Sequence, residues 1–307
     1  MVALFMLLFS TTVLADSSAL ILRGVAGDEE HAQKFTKWSD ETRKALVDKF
    51  GFSADRVTVL ADKMTAQAEI KKAFATLKSQ LKPLDTLFVF FIGHGSGEGD
   101  YKFNIFGPDF TAADYNMLLS SLSVGRIVIV NGTNSSGAAM EALAGKNRVI
   151  ITATRSGQEG NDTVFYEYFL EALQKPEADE DKDQKISVWE AFKYASAGVD
   201  RFYKQEGRLV TEHPQISDNG AEKTTAAAKE VPLLARTLVF QVDRPVVTND
   251  PKLAALLNEK KDLEQKIEAL RIGKSGIPEP EYEKQMEDLL VQLALKNQQI
   301  KAQETKK

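Results

Sequence analysis

The sequence predicts an α/β protein: a mostly parallel sheet with helices on both faces, followed by a C-terminal helical hairpin or coiled coil. Three observations lead to this fold class. Runs rich in Val, Ile, Leu and Phe alternate with amphipathic stretches through the first two-thirds of the chain, which is typical of βαβ units. The runs are continuously apolar, as in strands covered on both faces. After residue 252 the apolar residues follow a heptad spacing instead.

The individual elements follow in order along the chain. Continuous apolar runs predict strands, and apolar residues three or four apart predict helices. Predicted strands cover 19–25, 56–60, 86–92, 126–130 and 148–152, with a possible edge strand at 234–242. Predicted helices cover 28–50, 65–81, 115–122, 163–173 and 188–201. The domain organisation is therefore a domain over 16–245, a Pro-, Asn- and Asp-rich linker at 246–251, and a tail over 252–307.

Length and composition limit the function classes. The 307 residues are 43% hydrophobic, which suits one large domain with an appendage. The 44 acidic residues outnumber the 39 basic ones, and this excludes a dedicated nucleic-acid binder. The chain has no cysteine, so disulfides, thiolate zinc sites, iron–sulfur clusters and thiol catalysis are excluded as well.

The N-terminus predicts an export signal over residues 1–15. Residues 2–14 are almost all apolar, and Ala15 before Asp16 completes an A-x-A-like cleavage site. The run lacks a basic residue at its start, so a buried strand is the alternative. An apolar run of this length falls short of the ~20 residues that span a bilayer, so we expect no stable membrane span after signal removal. We expect an exported protein, periplasmic or extracellular, and a bacterial periplasm suits a chain without disulfides.

The tail has two apolar repeats separated by a break at 273–280. Heptad positions in the first arm hold Leu253, Lys260 and Ile267, with Leu256, Leu263 and Leu270, and the second arm has Met286, Leu289, Leu293 and Ile300. This spacing predicts a helical hairpin or a short coiled coil. Self-association or partner docking through 252–307 is one interpretation. A hairpin that closes on itself or on the main domain is the other.

Two polar turns follow neighbouring predicted strands. His94 lies between glycines at the end of the third strand, where it is well placed as a general base. The fourth strand ends in a small, polar turn at 131–137, and a helix follows. Ligands of such sheets bind beyond the carboxyl ends of the strands, so the two turns could meet in one crevice.

In these turns the chain resembles the caspase/legumain-like cysteine peptidases. That family has an apolar strand ending in a His-Gly turn, and a next strand ending in the nucleophilic cysteine shortly before Ser-Gly. The resemblance covers roughly residues 19–220, and the whole chain is similar to exported bacterial caspase-like proteins with a helical tail. It implies a caspase-like fold, with His94 as catalytic base and the Gly95 amide as an oxyanion donor.

The nucleophile of that family is missing here. Matching from the strand end puts Thr133 at the cysteine position, and matching from Ser136-Gly137 puts Asn134 there. Hydroxyl groups need strong activation by a base, and no acid stands out in the sequence to orient His94. We therefore expect a pseudopeptidase that binds a peptide or protein segment without cleaving it. The alternatives are a hydrolase in which His94 activates Thr133 or Ser135, and a structural module assembled by its tail.

The resemblance also implies a substrate-binding loop after the fifth strand. Arg155, Ser156 and Glu159 stand where the family lines the pocket for the side chain before the scissile bond. Glu159 would favour a basic residue there, and Arg155 an acidic one. A solvated polar loop is the other interpretation.

An acidic loop at 179–190 follows the EF-hand ligand spacing and predicts a structural calcium site. Its ligand positions hold Asp179, Asp181, Asp183, the carbonyl of Lys185, Ser187 and Glu190. Gln184 replaces the glycine that the sharp turn prefers. The alternative is a solvated loop in which Ser187 and Glu190 form a capping box for the next helix.

The two remaining histidines carry weaker signals. His213, with Glu212 and Asp218, could form a second metal cluster, although a surface turn fixed by Pro214 and Gly220 is the simpler interpretation. His31 lies on a charged predicted helix, and we expect it to be solvated.

Overall fold

The computed structural model describes residues 16–97, 99–228, 232–242, 250–274 and 277–304. The predicted signal peptide and most of the predicted linker lie outside the described residues. The chain divides into two compact units, Ser17–Pro245 and the C-terminal helices. No helix within the described residues is long and apolar enough to cross a membrane.

The first unit contains a six-stranded sheet, which confirms the mostly parallel α/β fold. The strand order is β2-β1-β3-β7-β8-β9, and only the last pair, β8 with β9, is antiparallel. The strands are β1 (Ser17–Arg23), β2 (Val57–Ala61), β3 (Thr86–Ile92), β7 (Arg126–Asn131), β8 (Arg148–Thr152) and β9 (Gln215–Asp218). A second, small sheet contains β4 (Gly95–Ser96), β5 (Lys102–Phe103) and β6 (Phe110–Thr111).

Helices cover both faces of the six-stranded sheet. They are α1 (Glu29–Lys44), α2 (Gln67–Gln80), α3 (Ala112–Ser120), α4 (Met140–Leu143), α5 (Phe165–Gln174), α6 (Val188–Gln205) and α7 (Leu233–Thr237). Successive strand residues point to opposite faces, so β3 contributes Phe88 and Phe90 to one core and Val89 and Phe91 to the other. The first core holds residues of α1, α5 and α6, and the second holds residues of α2, α3 and α4. Burial on both faces explains why these strands are continuously apolar in sequence.

The sheet edge differs from the sequence prediction at two places. The predicted edge strand at 234–242 is wrong, because α7 occupies its first part. The rest of this segment forms one isolated β-bridge, between Val239 and Ser187. The amides of Leu234 and Ala235 donate to Asp218, which favours a helix start there. The edge strand is instead β9, a polar segment in which Ile216 is the one buried apolar side chain.

The second unit is a helical hairpin of α8 (Pro251–Gly273) and α9 (Glu279–Glu304). Its helices are antiparallel, since Lys296 near the end of α9 pairs with Glu259 early in α8. The heptad residues face inward, and the most buried are Leu253, Leu263, Ile267, Leu270 and Ile300. The hairpin thus closes on itself, while Leu290, Val291 and Leu295 remain exposed on α9.

Candidate functional site

The carboxyl ends of β3 and β7 lie side by side, and the two predicted turns meet there. His94 follows β3 directly, and Asn131 is the last residue of β7. A Cβ built on Gly95 would lie 2.7 Å from the Thr133 hydroxyl, so the turns are packed closely and a larger residue at Gly95 would not fit. The two predicted turns therefore meet, and their polar groups are engaged with one another.

Thr133 lies in a buried hydrogen-bond network away from His94. Its side chain is completely buried, and its hydroxyl donates to Asn131 Oδ1 at 2.8 Å. The Tyr101 hydroxyl lies 2.8 Å from the same oxygen atom of Thr133. Burial raises the pKa of Tyr101, so this phenol stays neutral. A hydroxyl held in this way anchors the turn and is not presented to a substrate.

Asn134 fills the position expected for an oxyanion. The Gly95 amide donates to Asn134 Oδ1 at 3.0 Å, and Asn134 Nδ2 donates to the Gly95 carbonyl at 2.9 Å. Asn134 Nδ2 also donates to the carbonyl of Gly160 at 3.0 Å. The side-chain amide thus makes the same pair of hydrogen bonds with Gly95 that a peptide group would make.

Ser135 and Gly137 complete the turn. Ser135 has φ of 57°, in the left-handed region, and its amide donates to the Glu159 carbonyl at 2.8 Å. Its side chain is buried. A Cβ on Gly137 would lie 2.2 Å from the Ser156 nitrogen, so this position requires glycine. The glycine of the Ser136-Gly137 pair is therefore explained by backbone packing.

The two ring nitrogens of His94 contact Ala26 and Asp162, not the hydroxyls of Thr133 and Ser135. His94 Nε2 lies 3.0 Å from the carbonyl oxygen of Ala26, and Nδ1 lies 3.8 Å from Asp162 Oδ1. Its ring packs edge-on against Phe35 at 5.1 Å between centroids. Asp162 is the acid beside His94 that sequence reasoning missed, because it stands in an irregular polar loop with no motif around it.

His31 is not a solvated surface residue as expected, but a neighbour of His94. The two rings lie 4.7 Å apart, although the residues come from α1 and from the turn after β3. His31 Nδ1 is 2.7 Å from Asp28, and Nε2 is 2.8 Å from Asp162. Hydrogen bonds to Asp162 and then to Asp28 raise the pKa of His31. The expectation failed because α1 turns this side chain toward the crevice rather than toward water.

The predicted substrate-binding loop is held by the Arg155–Glu159 ion pair and by hydrogen bonds. Glu159 is largely buried and accepts from Arg155 Nε at 3.0 Å, and it lies 2.6 Å from His213 Nδ1. It also accepts from the backbone amide of Arg155 at 2.9 Å. Ser156 packs against Gly137, and its hydroxyl accepts from the Gln158 amide at 3.3 Å. The Arg155 side chain is therefore exposed, whereas the Glu159 carboxylate is largely buried and already satisfied.

The cluster of Glu212, His213 and Asp218 considered from the sequence is not assembled. Glu212 accepts from the amides of Val164 and Phe165, at the start of α5, and Asp218 accepts from amides at the start of α7. Burial raises the pKa of Glu212 to about 7, against the lowering effect of its hydrogen bonds. The carboxylates of Glu212 and Asp218 cap different helices, so the three residues do not converge on one metal site.

The acidic loop brings three of its predicted ligands together. Carboxylate oxygens of Asp179, Asp181 and Asp183 lie within 4.8 Å of one another. Asp179 accepts from the amides of Asp183 and Gln184 at 3.1 and 3.0 Å. Gln184 takes φ of 69°, the conformation for which glycine is preferred at this position. The oxygen-only donor set suits a hard cation such as calcium.

The other predicted ligands are placed differently. Glu190 accepts from the amide of Glu180 at 2.8 Å and from the amide and hydroxyl of Ser187 at 2.9 and 2.7 Å. Ser187 is the N-cap of α6, and the two residues form the capping box that the sequence offered as the alternative. Lys185 donates its amide to Asp183 Oδ1 at 2.8 Å. A calcium ion would therefore have to draw Glu190 away from the cap to gain its sixth ligand.

Comparison with known proteins adds little. No family model and no curated protein matches the chain. Among solved structures, the chain is similar to protein GSU0716 from Geobacter sulfurreducens, with 13% sequence identity and a TM-score of 0.48. This similarity covers 75% of the present chain and 100% of the other.

Proposed function

We propose that the protein is an exported, caspase-like pseudopeptidase that binds a peptide or protein segment without cleaving it. One observation carries the proposal: the Asn134 carboxamide pairs with both backbone groups of Gly95. In the resemblance, Gly95 supplies an oxyanion donor, and Asn134 stands at one of the two positions matched to the cysteine. A carboxamide there is not a nucleophile, and it occupies the donor that catalysis would need.

In the part of the chain that the structure describes, neither ring nitrogen of His94 contacts the Thr133 or the Ser135 hydroxyl. Thr133 donates to Asn131, and His94 contacts Ala26 and Asp162. A working pair of nucleophile and base lies within hydrogen-bond reach, so this arrangement favours binding over hydrolysis.

Peptide binding would use the groups that Asn134 now satisfies. Asn134 is partly exposed, and a peptide group could replace its carboxamide at Gly95 with the same number of hydrogen bonds. Arg155 pairs with Glu159 through Nε, and the rest of its exposed guanidinium would attract an acidic side chain of the bound segment. We therefore expect a preference for acidic peptides.

Turnover and binding test the proposal together. Purified protein is incubated with a mixed peptide library beside His94→Ala, and binding of labelled acidic and basic peptides is followed by fluorescence polarisation. We expect no cleavage that depends on His94, and tighter binding in Asn134→Ala because the competing amide is gone. Cleavage that disappears in His94→Ala would instead establish a hydrolase that uses Thr133 or Ser135.

The charge preference has a matched control. Arg155→Glu should weaken binding of acidic peptides several-fold, on the scale of a single charge-assisted contact. Arg208→Glu makes the same change at an exposed arginine elsewhere in the domain, and it should leave binding unchanged. Equal effects of the two variants would contradict the role of Arg155.

The hairpin is proposed to self-associate through α9. Within the described residues, α9 lines an apolar groove of about 470 Å³, and the exposed Leu290 and Val291 are among its lining residues. The first turn of α9 is acidic and its last turn carries Lys301, so two antiparallel copies would bring opposite charges together. Light scattering should detect a dimer in the wild type and a monomer in Leu290→Glu. Leu209→Glu, at another exposed leucine, should remain dimeric.

A further inference from the structure

We propose that His31, His94 and Asp162 form a binding site for a divalent transition-metal ion, with Zn²⁺ as the best fit. One atom from each side chain lies within 4.8 Å of the other two. Two of the three histidines of the chain are thus brought together with a carboxylate from a distant loop. This inference is independent of the proposed function, because it requires neither Asn134 nor a bound peptide.

The distances between the three candidate ligand atoms are close to those in a zinc site. His31 Nε2 lies 2.8 Å from Asp162 Oδ2, and His94 Nδ1 lies 3.8 Å from Asp162 Oδ1. Tetrahedral zinc with bonds of about 2.0–2.1 Å separates its ligand atoms by about 3.3 Å. Small side-chain rotations would therefore bring the three ligand atoms to bonding distance.

Both histidines are oriented as metal ligands usually are. A ligating imidazole normally donates its second N–H to a carboxylate or a backbone carbonyl. His31 places Nδ1 at 2.7 Å from Asp28, and His94 places Nε2 at 3.0 Å from the carbonyl of Ala26. Asp28 is itself held in place, because it accepts from the His31 amide as the N-cap of α1.

This orientation leaves acceptor atoms facing each other. A carbonyl can only accept, so a neutral His94 carries its proton on Nε2 and presents a lone pair at Nδ1. In the same way, His31 with its proton toward Asp28 presents a lone pair at Nε2, opposite the Asp162 carboxylate. Two lone pairs and a carboxylate require a cation between them, either a proton or a metal ion.

Space, access and charge allow a metal ion. The cavity that these residues line has a volume of about 10 Å³, which is room for about one water molecule. Asp162 is 57% exposed, so the site is reachable from solvent. Among the described residues that line the cavity, Lys34 is the one lysine or arginine, and its ammonium group lies over the Trp38 ring. Asp162 in the cavity and Asp28 beside His31 supply two carboxylates. Three protein ligands would leave a fourth position for water.

The donor set selects the kind of metal. Two imidazole nitrogens and one carboxylate suit zinc or a similar transition metal, whereas calcium and magnesium prefer oxygen ligands alone. The acidic loop and the histidine cluster should therefore bind different ions.

Calorimetry with Zn²⁺ on tag-free, chelator-treated protein tests the site. We expect one site with a micromolar or lower Kd, weakened at least about tenfold in His31→Ala and in Asp162→Ala. Asp28→Asn should also raise the Kd on the order of tenfold, with an unchanged Tm without metal, because Asn caps helices as well as Asp. His213→Ala and Asp179→Ala should leave the Kd unchanged.

Two further measurements guard against misfolding and misassignment. Circular dichroism checks that each variant folds, and Co²⁺ bound to the wild type should give visible d–d absorption that is lost in His31→Ala. No Zn²⁺ binding at 100 µM metal ion (about 100 times a micromolar Kd) would overturn the proposal and leave a proton as the bridging cation. Loss of binding in His213→Ala or Asp179→Ala, with His31→Ala unaffected, would also overturn it.

Discussion

The acidic loop and the histidine cluster both gather metal-ligand side chains, but they are assembled in opposite ways. The loop places its ligands within twelve consecutive positions, and its carboxylates accept from backbone amides of the same loop. The cluster joins residues 31, 94 and 162, and its imidazoles are oriented by Asp28 and by the Ala26 carbonyl. In the loop the carboxylate oxygens accept from backbone amides, whereas in the cluster His31 Nε2 and Asp162 contact each other at 2.8 Å, where a metal ion would replace the shared proton.

Ligand spacing along the sequence is therefore not sufficient for a strong metal site. A local motif supplies oxygen atoms together with backbone amides that compete for them. The free energy of ion binding is therefore reduced by the hydrogen bonds that the ion must replace. A cluster made by tertiary contacts can have its outer hydrogen bonds satisfied and its inner lone pairs free. We therefore expect weak calcium binding at the loop and tighter transition-metal binding at the cluster.

The largest change in unfolding free energy is expected from Glu212. Like Asp162, this carboxylate is positioned by tertiary contacts. Its folded-state pKa of about 7 exceeds the ordinary value of 4.5, so the folded protein binds more protons between these values and its stability falls as pH rises through that window. From pH 5 to pH 8 the wild type should lose about 2.5 kcal/mol of unfolding free energy relative to Glu212→Gln. Urea denaturation at both pH values measures this difference, and parallel pH profiles would contradict it.

The second prediction tests whether the loop is held by its own hydrogen bonds. Glu190→Ala should lower the free energy of unfolding by about 2 kcal/mol, because buried amides of Ser187 and Glu180 lose their acceptor. The matched control is Glu180→Ala, whose exposed pair with Lys193 should be worth less than about 0.5 kcal/mol. Equal losses in the two variants would mean that the loop does not depend on Glu190.

The third prediction concerns calcium itself. With a Kd of about 1 mM, calcium at 10 mM should stabilise the protein by about 1.4 kcal/mol. Asp179→Asn should abolish this stabilisation, and His31→Ala should retain it. Thermal denaturation measures the effect, and the absence of calcium heat in calorimetry at millimolar ion would retire the site.

The smallest effect is expected from the backbone of the loop. Gln184→Gly should stabilise the protein by about 0.5 kcal/mol, because the left-handed conformation costs glycine less, and its greater freedom in the unfolded chain offsets part of the gain. Calcium should also bind more tightly to this variant. Destabilisation by the glycine would indicate that the Gln184 side chain itself holds the loop.

Much of the fold was predictable because its causes are local. The buried strands and amphipathic helices follow from residue periodicity, and the mostly parallel sheet follows from their alternation. The edge at β9 was not predictable, since Ile216 alone points into the core and the rest of the strand is polar. Backbone pairing with β8 and the bridge from Ile216 to Thr224 hold this segment as a strand, although its sequence has no strand pattern.

Local sequence patterns encode the strand–helix alternation, the heptad tail, the capping box of α6, and the polar turns that follow β3 and β7. What those turns contain depends on tertiary contacts: Asn134 folds onto Gly95, Thr133 is buried under Tyr101, and His94 lies beside His31 and Asp162. The two sets of features differ in the distance along the chain over which their interactions act. Periodicity and capping act over a few neighbouring residues, whereas contacts between residues 32 to 131 positions apart depend on how helices and loops pack at the ends of the strands.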